Sequence, residues 1–107
     1  MSNFTREDYE MAAKAAGVDG WYEPGYLSFI KRGGGVWRPT EDDGDALRLA
    51  VALRLQVTPG TYNSEEVIAY RSGHAESRER VHFQQDIGAA TRRAIFRAAI
   101  AIGRAMP

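Results

Sequence analysis

The stretch Asp86-Ile-Gly-Ala-Ala-Thr-Arg-Arg-Ala-Ile-Phe-Arg-Ala-Ala-Ile-Ala-Ile-Gly-Arg-Ala-Met106 decides the fold, because its pattern predicts one long amphipathic helix. Asp86 is a favourable N-cap residue, since its carboxylate accepts hydrogen bonds from the free N–H groups of the first turn. Apolar and small residues recur at spacings of three and four, which places them on one face. They are Ile87, Thr91, Ala94, Ile95, Ala98, Ile102 and Ala105, and Arg93, Arg97 and Arg104 fall on the opposite side.

Phe96 and Ile100 lie between these two faces of the helix. Because the main apolar face does not include them, we expect an exposed ridge beside the arginines. Aromatic residues and Arg are enriched at the energetic centres of protein interfaces. The sequence therefore predicts a partner-binding surface formed by Arg92, Arg93, Phe96, Arg97, Ile100 and Arg104.

The composition is that of one globular domain, 1–107. Apolar residues make up 44% and charged residues 26%, and 14 basic side chains balance 14 acidic ones. The absence of cysteine excludes a disulfide framework and a thiolate metal site. No apolar run approaches the roughly 20 residues that span a bilayer, and the first residues lack the apolar core of a signal peptide. We expect a cytoplasmic protein without a membrane partner.

The rest of the chain alternates helical and strand patterns. A first helix is expected from a capping box at Thr5 and Asp8 to Gly17, which suits the left-handed position after a helix. Thr40 is expected to cap a second helix. Strand patterns lie at 27–30 and 36–38, which form a hairpin, and at 55–58, 67–70 and 78–84. The order α-β-β-α-β-β-β-α predicts an α+β domain, an antiparallel sheet of about four to six short strands with three helices packed on it.

Several features have catalytic or ligand-binding interpretations, but the sequence favours structural roles for them. The glycines 33–35 follow two basic residues, yet a phosphate loop opens a helix and has a Lys after its glycines. The acids within 41–45 miss the spacing of a calcium loop and suit a helix N-terminus. His74 and His82 have no metal-ligand partner at a suitable spacing. Because no nucleophile, base and orienting group can be assembled, we expect no enzymatic activity, cofactor or metal.

The arginines leave other interpretations open. Those of the last helix, with Arg78 and Arg80 from the preceding strand, have the chemistry to bind phosphates, and Phe96 has the ring to stack on a base. Alternatively, they form a solvated face that pairs with the acids of the first half of the chain.

Residues 37–53 read WRPTEDDGDALRLAVAL, and residues 88–103 read GAATRRAIFRAAIAIG. The first segment resembles the W-N-P-L-x-D-D-G-D-A-L-R-L-A-V-x-L segment of small proteins encoded by phages and prophages of GC-rich proteobacteria. Residues 88–103 resemble their closing A-A-T-R-R-A-I-x-R-A-A-x-x-x-G helix. Arg38 and Thr40 depart from the family's Asn and Leu. The layout is also similar to phage ABA-sandwich domains, in which helices lie on both sides of a sheet.

This resemblance implies a phage origin and no catalytic residues. The leading hypothesis is a non-enzymatic accessory protein that binds a host macromolecule, most readily a host protein, as an anti-defence inhibitor of the anti-CRISPR type. The second hypothesis is a nucleic-acid-binding accessory protein that uses the terminal arginines. The third is a small structural or self-associating phage protein, for which a homodimer is a natural form.

Overall fold

The computed structural model describes residues 4–58, 66–73, 76–80 and 86–107, with the backbone alone for 76–80. Within these ranges three helices alternate with two groups of three short strands. The helices are α1 (Arg6–Ala16), α2 (Asp43–Leu53) and α3 (Ile87–Ala105). The strands are β1 (Gly20–Glu23), β2 (Ser28–Lys31), β3 (Val36–Trp37), β4 (Gln56–Thr58), β5 (Glu66–Tyr70) and β6 (Glu76–Arg80). The predicted α+β class and three helices are confirmed.

The strands form two antiparallel sheets, where the sequence had suggested one. The first sheet has the order β1-β2-β3 and the second the order β4-β5-β6. The expected hairpin is present as β2 and β3, joined by a loop in which Gly33, Gly34 and Gly35 all have positive φ. The additional strand, β1, pairs with β2 and places Tyr22 opposite Phe29. Because α2 separates the two groups of strands in the chain, each group closes locally into its own sheet.

Local capping signals set the ends of α1 and α3 as predicted. Thr5 Oγ1 accepts from the Asp8 N–H, while an Asp8 carboxylate oxygen accepts from the Thr5 N–H. Gly17 ends α1 in the left-handed conformation at φ 72°. Asp86 caps α3 by accepting from the Ala89 N–H at 3.0 Å.

The predicted cap of α2 was wrong by two residues. Asp42 caps this helix, because its Oδ2 accepts from the Asp45 N–H at 2.8 Å. Thr40 lies before the helix, and its hydroxyl is instead 3.2 Å from the Tyr9 hydroxyl of α1. Local preference favours Thr40 as the cap, but its hydroxyl is engaged in a tertiary contact instead.

The central element of the domain is α3. It contacts α1 and α2, and it also packs on β5 and β6 of the second sheet. Buried residues consequently cover most of its circumference, and a narrow exposed stripe remains. Ile87, predicted to lie on the buried face, is exposed at the first turn.

The backbones of α1 and α3 come very near each other at Gly103. A Cβ atom added there would lie 2.0 Å from the Met11 carbonyl oxygen, so only glycine allows the two backbones to come this near. Ala12, Ala13 and Ala99 are also fully or almost fully buried. Small side chains thus let the helices pack tightly.

Some sequence predictions lie outside the described residues. These are the part of the last strand at 81–84, His74 and His82. None of the three described helices is long and apolar enough to cross a membrane.

Candidate functional site

The predicted contact residue Phe96 is buried, and its placement on an exposed ridge was wrong. Its side chain has 0% of its surface accessible. The ring centroid lies 4.7 Å from that of Phe4, 4.8 Å from that of Tyr9 and 6.3 Å from that of Trp37. Phe96 is therefore the aromatic centre of the core.

Ile100 needs the same correction, since only 6% of it is accessible. The physical reason is that α3 is covered by helices as well as by a sheet. A second apolar ridge on such a helix supplies a second packing face. Neither Phe96 nor Ile100 is available to a partner in this fold.

Two of the predicted arginines link helices within the domain. Arg92 donates from Nε to the Thr40 carbonyl at 3.1 Å and from Nη1 to Asp43 at 2.6 Å, with its side chain 18% exposed. Arg104 donates to Asp8 of α1 at 3.1 Å. The two residues lie about 18 Å apart along the helix axis. Arg92 and Arg104 therefore stabilise α2 and α1 against α3 at opposite ends of the helix.

Arg93 and Arg97 have a different environment. Both lie on the exposed stripe of α3, with Arg97 exposed and Arg93 partly buried. Arg93 also lines an open cleft. Arg93 is thus a predicted contact residue that lies at a concave surface.

This cleft has a volume of about 370 Å³ and is bordered by parts of the chain that are distant in sequence. Three aromatic rings, one aliphatic side chain and three polar side chains line it: Phe4, Tyr9, Tyr22, Leu27, Thr40, Glu41 and Arg93. It can therefore hold an apolar side chain of a partner while Glu41 and Arg93 offer charges of both signs. Mixed apolar and polar walls of this kind are typical of binding clefts.

Tyr9 fixes one wall of the cleft. Its ring is tilted by 42° against that of Tyr22, with centroids 5.8 Å apart. Burial raises the pKa of the Tyr9 phenol, the hydrogen bond to Thr40 opposes this rise, and the negative charge of Glu41 adds to it. The phenol consequently stays neutral and can donate or accept a hydrogen bond.

The turn at 24–27 reaches the cleft through Leu27, which lines it. Tyr26 N–H donates to the Glu23 carbonyl at 3.1 Å, Leu27 N–H donates to the Pro24 carbonyl at 3.3 Å, and Ser28 Oγ donates to the Tyr26 carbonyl at 2.9 Å. These bonds order the turn. Tyr26 and Leu27 nevertheless expose 76% of their surface each.

Leu27 is unfavourable for folding in two respects. Its φ of 50° is a left-handed conformation that costs a residue with a Cβ about 1 kcal/mol or more. Its large apolar side chain also remains in solvent. Gly or Asn would be more stable at this backbone conformation. The chain instead has a leucine there, exposed to solvent beside the cleft. The turn 24–27 and the adjoining cleft are called the tip below.

A second cleft, of about 530 Å³, is a network of charged side chains at the β3–α2 connection. Asp45 accepts from the Arg38 N–H at 2.9 Å and from Arg48 Nη2 at 2.7 Å. Burial acts to raise the pKa of Asp45, but these hydrogen bonds and the positive charges of Arg48 and Lys31 outweigh it and lower the pKa. Among the described residues, no three acidic or histidine side chains are grouped as metal ligands.

Sequence reasoning did not find the tip. The sequence placed Tyr9 in the first helix and Leu27 in the strand pattern at 27–30, and it predicted no binding role for either residue. The usable signal was Tyr26 and Leu27 directly after Pro24-Gly25, because apolar residues in a tight turn cannot all be buried.

Comparisons of the chain with models of known protein families, with curated proteins and with solved structures find no match.

Proposed function

We propose that this protein is a non-enzymatic accessory protein of a phage or prophage that binds a host protein through the tip. The resemblance of two segments to phage-encoded proteins supports the origin. The observation that supports the site is the presentation of Tyr26 and Leu27 on an ordered turn, 76% exposed, beside an aromatic cleft. Exposed apolar side chains grouped in this way are typical of protein-binding surfaces.

The concrete form of the proposal is an inhibitor of a bacterial defence system, of the anti-CRISPR type. Such a function needs a surface that binds one host protein and no catalytic machinery. The tip provides apolar anchors, aromatic walls and charges of both signs at its edge. Affinity would come from burial of Tyr26 and Leu27, and orientation from Glu41 and Arg93.

The arrangement of the arginines favours a protein partner over a nucleic acid. Arg92 and Arg104 are paired with acidic side chains of the same chain, and Glu41 lies in the cleft beside Arg93. A negative charge at that position opposes phosphate. We expect no binding of labelled duplex DNA at about 20 mM salt, where phosphate contacts are strongest. Binding that weakens steeply with added salt would support the nucleic-acid alternative instead.

The decisive experiment is a pull-down from host cells with three forms of the protein. They are the wild type, the tip variant Tyr26→Asp/Leu27→Asp, and the control variant Leu47→Asp/Val51→Asp. Leu47 and Val51 form an exposed apolar pair on α2, 64% and 67% accessible, so the control makes the same change elsewhere. We expect one host protein to be captured by the wild type and the control but not by the tip variant.

The captured protein is then tested directly with purified components. A dissociation constant that rises at least about 30-fold in the tip variant and stays within about threefold in the control supports the site. Equal affinity of the tip variant, or loss of binding only in the control, would show that the tip is not the site. In a host with an active CRISPR system, expression of the wild type and the control, but not of the tip variant, should raise plating of the targeted phage.

A further inference from the structure

The outer face of the first sheet is an apolar surface that borders the charged cleft at its β3 side, where Val36 and Arg38 line that cleft with Asp45 and Arg48 of α2. The strand register aligns one row across this face: Trp21, Ile30 and Val36. The helices contact the opposite face, through the Tyr9–Tyr22 and Trp37–Phe96 ring contacts. Trp21 is consequently 49% exposed, which is unusual for the largest apolar side chain.

The next row of the same face carries opposite charges at its two ends. Glu23 of β1 pairs in register with Ser28 of β2. Continuing the register of β2 and β3 by one residue places Arg38 on the other side of Ser28. Within the described residues, the side chains of Glu23 and Arg38 make no ion pair, whereas Arg32, Arg48, Arg92 and Arg104 all do.

We infer that this face binds a second copy of the chain. The two-fold axis runs along β2, between the first sheet of one copy and the first sheet of the other. This inference is independent of the host-protein proposal, because it uses a different surface. A two-fold axis in this position exchanges β1 with β3. Trp21 of one copy then lies over Val36 of the other copy, and Ile30 lies over its own counterpart.

Charge complementarity is the argument for a second copy as the occupant. Neighbouring strands are about 4.8 Å apart, so β1 with Glu23 and the continuation of β3 with Arg38 flank β2 at similar distances. The proposed axis therefore brings Glu23 of each copy opposite Arg38 of the other, which forms two ion pairs at the edge of an apolar centre. A face that carries opposite charges at symmetric positions is complementary to itself.

The size of the face sets the strength of the dimer. Three short strands present much less than the roughly 800 Å² per partner of a standard stable interface. We therefore expect a reversible dimer with a dissociation constant on the order of 100 µM. Trp21 should contribute most to the affinity, because Trp is enriched at interface hot spots.

Sedimentation velocity between about 10 µM and 1 mM tests the association. The wild type should shift from monomer to dimer over this range. Trp21→Glu should raise the dissociation constant roughly 30-fold or more, while the control Leu47→Glu, on the exposed side of α2, should leave it unchanged. A wild type that stays monomeric at 1 mM, or a dimer that Trp21→Glu does not weaken, would overturn the inference.

A charge exchange tests the two-fold arrangement itself. Glu23→Lys alone and Arg38→Glu alone should each weaken the homodimer roughly three- to tenfold, because like charges then face each other twice. An equal mixture of the two variants should associate as tightly as the wild type, since both cross-copy pairs are again opposite. A mixture no tighter than the single variants would exclude this arrangement, provided that both variants keep the wild-type melting temperature.

Cross-linking gives a test that does not depend on the charge variants. The chain has no cysteine, so Ile30→Cys introduces its only thiol. Residue 30 lies next to the proposed axis, and packed sheets are about 10 Å apart, which a bismaleimide of about 10 Å spans. We expect a covalent dimer from Ile30→Cys and none from the control Leu47→Cys. Equal yields from both would contradict the proposed interface.

Discussion

The close contact between α1 and α3 gives a quantitative prediction for Gly103→Ala. The added methyl group would lie 2.0 Å from the Met11 carbonyl oxygen, 2.7 Å from the Met11 carbonyl carbon and 3.2 Å from the Met11 Cα. Ordinary contacts begin near 3.4 Å, so the helices must separate by about 1.4 Å. The obstructing atoms belong to the backbone and cannot rotate away.

The expected magnitude follows from two opposing effects. Overpacking of a tight core costs about 1–3 kcal/mol, and a rigid obstacle places this site near the upper end. Replacing Gly by Ala in a helix stabilises it by at most about 1 kcal/mol. We expect a net loss of about 2 kcal/mol, which lowers the melting temperature by about 10 °C in a domain of this size.

The assay is thermal and urea unfolding of Gly103→Ala beside a matched control in the same helix. Gly88→Ala would place its methyl group against the ends of the Asp86 and Arg92 side chains, at 3.1 Å and 3.4 Å, and these ends can move. Moving them strains the Asp86 cap and the Arg92–Asp43 ion pair, so the control should lose less than about 1 kcal/mol, clearly less than Gly103→Ala. A Gly103→Ala variant that melts at or above the wild-type temperature would refute the proposed contact between the helix backbones.

Four further outcomes are expected. Phe96→Ala should lose about 3–5 kcal/mol of stability in urea titrations, because the whole ring is buried; a loss below about 1 kcal/mol would contradict its role in the core. Leu27→Gly should keep the wild-type melting temperature, since relief of the positive φ offsets the greater entropy of the unfolded chain, yet it should weaken capture of the host partner. The raised pKa of Tyr9 gives stability that is complete below about pH 10 and lost as the pH rises through the folded-state value, so Tyr9→Phe should flatten the alkaline part of the urea-midpoint profile. The lowered pKa of Asp45 gives stability that is present above about pH 4 and lost as the pH falls through the folded-state value, so Asp45→Asn should flatten the acid part.

The features that the sequence predicted correctly depend on neighbouring residues. The Thr5–Asp8 capping box, the left-handed Gly17 and the Asp86 cap involve groups within a few positions of each other. The hairpin loop follows from the positive φ that its glycines allow. Such local preferences can be read without knowledge of tertiary contacts.

The features that the sequence did not predict depend on distant contacts. Thr40 was expected as a cap, but the Thr40 hydroxyl contacts the hydroxyl of Tyr9, which is 31 positions away in the chain. Periodicity showed that Phe96 and Ile100 lie apart from the main apolar face, but it cannot show how many faces of a helix are covered. The cleft is likewise invisible in the sequence, because separate elements supply its walls.

The position of α3 in the chain has a consequence for biosynthesis. This helix is translated after α1, α2 and both sheets, yet it provides packing surfaces for α1, α2 and the second sheet. Until α3 has left the ribosomal exit tunnel, aromatic residues such as Trp37 therefore have no Phe96 to pack against. During that interval the chain is a natural client for chaperones that hold exposed apolar segments.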